Sequence, residues 1–277
     1  MSAIDTSVTP ALPPVPLTLE GASVLHQMMR FKWGAWRHLP WAEQEEFLAQ
    51  AVSVLNQVEH KRSAIYSLLG HKGDLLFVHF RDSFEELNET ELKLARTHFA
   101  DYLEPVSSYL SIVELGLYES TGKTYAALAE RGIQPHTPEW KTEIDEVVAR
   151  QREAMRPRLY PEIPNTKYIC FYPMDRKRGE HKNWYEVPMA ERQRMMHEHG
   201  MVGRRYAGEV KQIISGSIGL DDWEWGVDLF ADDPAVFKRL IYEMRFDEVS
   251  AAYALFGTFY VGIRHHASDL RMLLNGK

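Results

Sequence analysis

Residues 63–99 read SAIYSLLGHKGDLLFVHFRDSFEELNETELKLARTHF. Two short apolar, β-branched and aromatic runs, Ser63–Leu69 and Asp74–Phe80, flank Gly70-His71-Lys72-Gly73, a glycine-bearing connection of hairpin length. Ser83 with Glu86 three residues later is the signature of a helix start, and the helix is expected over Phe84–Phe99. Upstream, Ala22–Phe31 reads as a strand. Trp41–Val58 reads as a helix with Phe47, Leu48, Val52 and Leu55 along one face. Downstream, Ser108–Leu117 completes the series as a strand. The order β-α-β-β-α-β is the split, ferredoxin-like pattern.

The second half repeats it. Lys167–Tyr172 alternates so that Tyr168, Cys170 and Tyr172 share one face, and Pro173 is expected to take the chain out of the sheet. A helix from Pro188 toward His199 follows, then strands at Glu209–Ile218 and Trp223–Leu229. Asp233-Pro234 opens a helix whose stripe is Phe237, Leu240, Ile241 and Met244, and Ala254–Ile263 is the last strand. The expected architecture is therefore α+β. Two ferredoxin-like units, 21–118 and 165–277, form one dimeric α+β barrel within a single chain, with an apolar pocket between a sheet and its own helices. A charged, partly helical linker at 119–164, helical over Glu139–Arg156, joins them. A proline-rich flexible arm, 1–20, precedes them.

Composition narrows the function classes. Of 277 residues, 45% are hydrophobic and 26% charged, which suits a globular protein and excludes wholesale disorder. A net charge of −7 argues against a nucleic-acid surface, though local basic pockets stay open. Cys170 is the only cysteine, so a disulfide within the chain and a cysteine-built metal cluster are excluded, and a cytoplasmic setting is expected. The uncharged run Ala251–Ile263 is shorter than the ~18 residues of a membrane span.

Few residues declare a chemistry by spacing alone. Twelve histidines show no HExxH pattern. In His197-Glu198-His199 the two histidines point about 200° apart on a helix, so they cannot serve one site. His199 follows Met195 and Met196 on the buried face, where a histidine is ordinarily a hydrogen-bonded core residue. Tyr172 at a strand end is either a buried aromatic or a pocket residue. Asp175-Arg176-Lys177-Arg178 and Arg158 are either a solvated surface or anchors for a carboxylated ligand.

From Tyr172 onward the chain resembles the chlorite dismutase-like family, and within it the coproheme decarboxylases. The motifs are Tyr172-Pro173-Met174, Asn183-Trp184-Tyr185, His199-Gly200, Gly203-Arg204, Tyr206-Ala207-Gly208 and Met244-Arg245-Phe246-Asp247-Glu248. The first half resembles it more loosely through Ile65-Tyr66-Ser67, Glu86-Leu87-Asn88-Glu89 and Val113-Glu114-Leu115, so that about 21–263 is covered.

That resemblance implies the double ferredoxin-like barrel, usually a homopentamer. It makes His199 the proximal ligand of a haem iron and Tyr172 the radical-forming tyrosine. Gln212 takes the distal position, where chlorite dismutases carry arginine. Arg158, Ser250 and Tyr118 would hold propionates, and Met174 and Arg176 would line the pocket. Asp175 adds a negative charge there, leaving the basic balance to Arg176, Lys177 and Arg178. The implied reaction uses hydrogen peroxide to convert two propionates of iron coproporphyrin III to vinyls, giving haem b, with transient contact to coproporphyrin ferrochelatase. The alternatives are a haem-binding chaperone or sensor without turnover, and a chlorite- or peroxide-detoxifying haem enzyme.

Overall fold

The computed structural model describes residues 12–59 and 62–276. Its strands are β1 (Thr18–Phe31), β2 (Ser63–Leu68), β3 (Leu75–Arg81), β4 (Leu103–Gly116), β5 (Tyr168–Arg176), β6 (Lys211–Gly216), β7 (Trp225–Ala231), β8 (Ala254–Phe256) and β9 (Tyr260–His265). Its α-helices are α1 (Trp33–His38), α2 (Trp41–Glu59), α3 (Phe84–Ala95), α4 (Tyr118–Glu130), α5 (Pro138–Ala154), α6 (Arg156–Leu159), α7 (Met189–Arg205), α8 (Ala235–Met244), α9 (Glu248–Tyr253) and α10 (Leu270–Asn275).

Each half orders its strands as a ferredoxin-like sheet, β4-β1-β3-β2 and β6-β7-β5-β9. The sheets join edge to edge. β4 meets β6 at Ile112↔Gly216 and Val113↔Ser215, and β2 meets β9 from Ile65↔His265 to Leu68↔Gly262. Eight antiparallel strands thus close into a barrel and leave none of those edges unpaired. The α+β fold with two ferredoxin-like units expected from the pattern is the one observed.

Alternate side chains fill the barrel, among them Val24, Met28, Tyr66, Val78, Tyr109 and Phe171. The halves are also pinned by polar contacts across the lumen. His26 of β1 bonds Asp228 of β7 at 2.9 Å and stacks on Phe171, with ring centroids 3.9 Å apart. Ser111 of β4 bonds Ser215 of β6 at 2.8 Å.

Several boundaries differ from expectation. β5 does not end at Pro173 but runs to Arg176, pairing with β7 through Pro173↔Gly226 and Met174↔Trp225. The Pro173 carbonyl accepts from the Gly257 amide, so its missing N–H faces the gap between β9 and β8, where no ladder bond is lost. The same gap, 257–259, splits the single last strand expected at Ala254–Ile263. The helix from Phe84 ends at Ala95, where the Thr97 hydroxyl donates to the Leu94 carbonyl, and a 3-10 turn at His98–Tyr102 leads into β4. The linker holds three helices. α4 and α5 pack through Tyr125, Leu128, Ile133 and Trp140.

Residues 1–11 of the expected arm lie outside the described residues. Over 12–20 the loose arm gives way to an anchored strap. Leu17 donates to Thr121 Oγ1 at 2.9 Å and accepts from Leu117 N at 2.8 Å, and β1 begins at Thr18.

Candidate functional site

Helix α7 lies over the outer face of the C-terminal sheet, and its periodicity decides what points inward. Arg192 and Met195 are buried, Met196 and His199 half-buried, and His197 and Glu198 face solvent. The two histidines part as the helix geometry requires. His199 Nδ1 lies 2.9 Å from Asp247 Oδ2 and 3.4 Å from Ser250 Oγ. Asp247 is the N-cap of α9: its Oδ1 accepts from Ser250 N at 2.8 Å and its Oδ2 from Ser250 Oγ at 3.1 Å.

Burial pushes the Asp247 carboxyl up, but the bonds from His199 and Ser250 outweigh it and hold the carboxyl below its ordinary value. A carboxylate at Nδ1 selects the tautomer with its proton there. The Nε2 lone pair remains as a metal ligand.

Strand β5 presents Tyr172, Met174 and Arg176 outward by alternation. Tyr172 is 5% exposed, stacked on Phe259 at 4.5 Å between centroids and tilted against Phe256 at 5.8 Å. It shares one apolar cluster with Val202, three residues beyond His199 on α7. Burial raises its phenol well above the ordinary value, so the side chain is a neutral O–H at any working pH. Gln212 of β6 reaches α7 at Gly203, where its Nε2 lies 3.4 Å from the position a Cβ would take.

The cations divide into committed and uncommitted. Arg178 pairs with Glu224 at 3.5 Å, and Asp175 Oδ1 accepts from Glu224 N at 2.8 Å. Arg176 keeps its guanidinium inside, facing Trp184 at 5.1 Å. Its Nη2 is 3.7 Å from Met196 Sδ, and its buried Nη1 has no partner. Burial lowers its pKa by more than the acidic groups around it, Asp247 and Glu224 among them, raise it.

Arg158 is exposed at the rim of a cleft of about 450 Å³ lined by Tyr118, Lys123, Met196 and Arg204 among others. The Tyr118 phenol is raised by burial and lowered in turn by Arg192 and Arg176, which places it near both charges.

The structure therefore brings Tyr118 and Arg158 to one cleft, with Arg176 against Met196 of its lining, His199 and Ser250 around Asp247, and Tyr172 against an aromatic pair. Ser250, expected at a propionate, turns its hydroxyl to Asp247. Sequence reasoning left the partner of His199 unassigned. The signal for Asp247 was its cap position three residues before Ser250. Arg192 was missed as well, although it stands seven residues before His199 and so on the same helix face. Among the described residues no group of three His, Cys, Asp or Glu side chains could hold a bare metal ion. A histidine bonded through Nδ1 alone, on the helix whose Met196 meets a guanidinium with an unpartnered Nη1, fits instead an iron complex that carries its own anionic groups.

Residues 44–265 match the family described as Chlorite dismutase. The chain is 42% identical over 269 residues to a protein of Haloquadratum walsbyi named a "putative heme-binding protein", covering 95% of this chain and 48% of that one. It thus spans about half the length of that curated relative. A solved structure described as a novel heme-binding protein from Thermus thermophilus is 39% identical, with TM-score 0.81, over 96% of this chain and 100% of that one. A chlorite dismutase of Candidatus Nitrospira defluvii is 16% identical with TM-score 0.68 over 93% and 95% of the two chains, a likeness of fold.

Proposed function

Because this chain belongs to the chlorite dismutase family, we propose that it binds an iron porphyrin between α7 and its C-terminal sheet, and that the porphyrin is iron coproporphyrin III, its substrate. The relatives named for heme support an iron porphyrin. One observation carries the reading: the guanidinium of Arg176, its Nη1 unpartnered, touches Met196, which stands three residues before His199 on α7, and His199 bonds through Nδ1 alone. A carboxylate-bearing porphyrin supplies the anion that Arg176 lacks and the metal that His199 lacks.

The reaction is an oxidative decarboxylation. Each propionate side chain, with one hydrogen peroxide and one proton, gives a vinyl group, carbon dioxide and two waters. The bound iron supplies the redox chemistry. His199, oriented by Asp247, holds the metal. Tyr172, kept as a neutral phenol by burial, is the hydrogen-atom relay: it loses its O–H hydrogen and recovers one from the β-carbon of a propionate set against it. Arg176, Tyr118 and Arg158 hold the remaining carboxylates so that this contact is kept. Gln212, neutral, is poorly suited to stabilise an oxyanion, which disfavours chlorite as substrate.

The test is to add stoichiometric iron coproporphyrin III and titrate peroxide while following the porphyrin by chromatography and mass spectrometry, with Tyr172→Phe in parallel. Stepwise loss of two carboxyls in the parent alone is expected. A porphyrin that stays bound and intact in both proteins overturns the reaction in favour of a haem carrier.

A further inference from the structure

Arg192 has no role in the reading above, yet its surroundings are those of a binding residue. It is 4% exposed, its Nε is buried without a partner, and its Nη2 donates to the backbone carbonyl of Pro14. No carboxylate pairs with it among the described residues. A guanidinium buried on a neutral carbonyl alone is poorly compensated for the loss of water.

Its position is set by the helix. Seven residues separate Arg192 from His199, which is about 20° short of two full turns and a rise of about 10 Å. A ligand whose metal sits on His199 and whose carboxylates extend one side-chain length beyond the ring edge reaches that point. The charges of Arg192 and Arg176 both act on the Tyr118 phenol and lower its pKa against the rise that burial causes. Pro14 itself belongs to the strap that Leu17 ties to Thr121 and Leu117.

We propose that Arg192 is a further carboxylate-binding residue of the porphyrin site, and that the Pro14 carbonyl is its stand-in partner, displaced when a carboxylate arrives. The inference rests on the porphyrin reading. It adds a specificity residue and gives the segment 12–17 a task, to occupy the anion position of the empty protein and to leave it on binding.

Binding of iron coproporphyrin III and of its tetramethyl ester to the full chain separates the possibilities, measured by absorbance for the parent, Arg192→Gln and Arg192→Lys. Arg192→Gln should weaken the tetracarboxylate on the order of ten- to a hundredfold, as expected for a lost bond between charged groups, and leave the ester unchanged. Arg192→Lys, which keeps the charge, should recover part of the loss. Hydrogen exchange over residues 12–20 should quicken when the tetracarboxylate binds.

Equal affinity of parent and Arg192→Gln for the tetracarboxylate overturns the inference while the porphyrin reading stands. So does an equal loss for both ligands in a variant with parental circular dichroism, because Arg192 would then act on the shape of the site. Unchanged exchange over the strap overturns the displacement. If the parent takes up neither porphyrin, the reading of the site itself fails and takes the inference with it.

Discussion

The two halves share one pattern of strands and helices, and they treat the space between sheet and helices in opposite ways. In the N-terminal half α2 and α3 press Leu48, Leu55 and Leu94 onto Phe31, Ile65 and Phe77, and the buried arginine beside that core is held by its neighbours. Arg81, 1% exposed, donates to Thr90 Oγ1 at 3.0 Å and Ser63 Oγ at 2.8 Å and to the carbonyls of Arg62 and Phe80. Ser63 Oγ also bonds His79 Nδ1 at 2.7 Å. In the C-terminal half Arg192, 4% exposed, and the half-buried Arg176 keep buried N–H groups without a partner, and His199 bonds through Nδ1 alone. Two copies of one fold thus separate into a half whose buried arginine is bonded throughout its neighbourhood and a half whose arginines keep buried N–H groups without a partner.

The sharpest way to break this contrast is to remove one arginine from each half. Arg81→Met strips the partner from two hydroxyls and several carbonyls at once, and should cost about 3–5 kcal/mol in urea denaturation. Arg176→Met removes an uncompensated cation and keeps an apolar stem against Trp184. Its stability should stay within about 1 kcal/mol of the parent or rise above it, while affinity for iron coproporphyrin III falls. If both variants lose stability alike, the C-terminal guanidinium is structural and the contrast fails.

Acid should act through the N-terminal half. His79 is buried, and burial first, then the charge of Arg81, pushes its pKa down to about 3 from an ordinary 6.5. Above pH 6.5 it is neutral folded or unfolded. Between 6.5 and about 3 only the unfolded chain takes up the proton, so stability falls with pH across that window, by up to about 1.4 kcal/mol per pH unit from this group. In His79→Gln the pH dependence of the melting temperature should be shallower there. An identical slope would mean that His79 takes up its proton in the folded state as readily as in the unfolded chain.

How far each half could be read beforehand follows from the range of the contacts. The hairpin at 70–73, the Ser83 cap, the shared face of Tyr168, Cys170 and Tyr172, and the α8 stripe are all set within a dozen residues, and periodicity exposes them. The bond from His199 to Asp247 spans 48 positions, and that from Arg192 to Pro14 spans 178. Neither leaves a local signature. Helix α4 escaped notice because Gly122 interrupts its stretch. At Gly122 the helix passes close to the Gln193 side chain of α7. Pro173 misled for a related reason, since a proline ends a strand only when its missing donor faces a partner, and which side it faces depends on where β8 and β9 divide.

The smallest effects refine the comparison at two helix caps. Ser83 caps α3 by accepting from Glu86 N at 3.2 Å, and Asp247 caps α9 in the same manner. Ser83 bonds only within its own helix start, to Glu86 N and to Glu85, so Ser83→Ala should cost about 1 kcal/mol and leave porphyrin affinity untouched. Asp247 also holds the His199 proton. Asn is as good a cap as Asp, so Asp247→Asn should keep stability within a few tenths of a kcal/mol while the neutral amide weakens the hold on the imidazole. Iron-porphyrin affinity should drop on the order of tenfold or more, with a shifted absorption band. Asp247→Asn with parental affinity and spectrum would show a cap and nothing further. The two halves would then differ in their arginines but not in their caps.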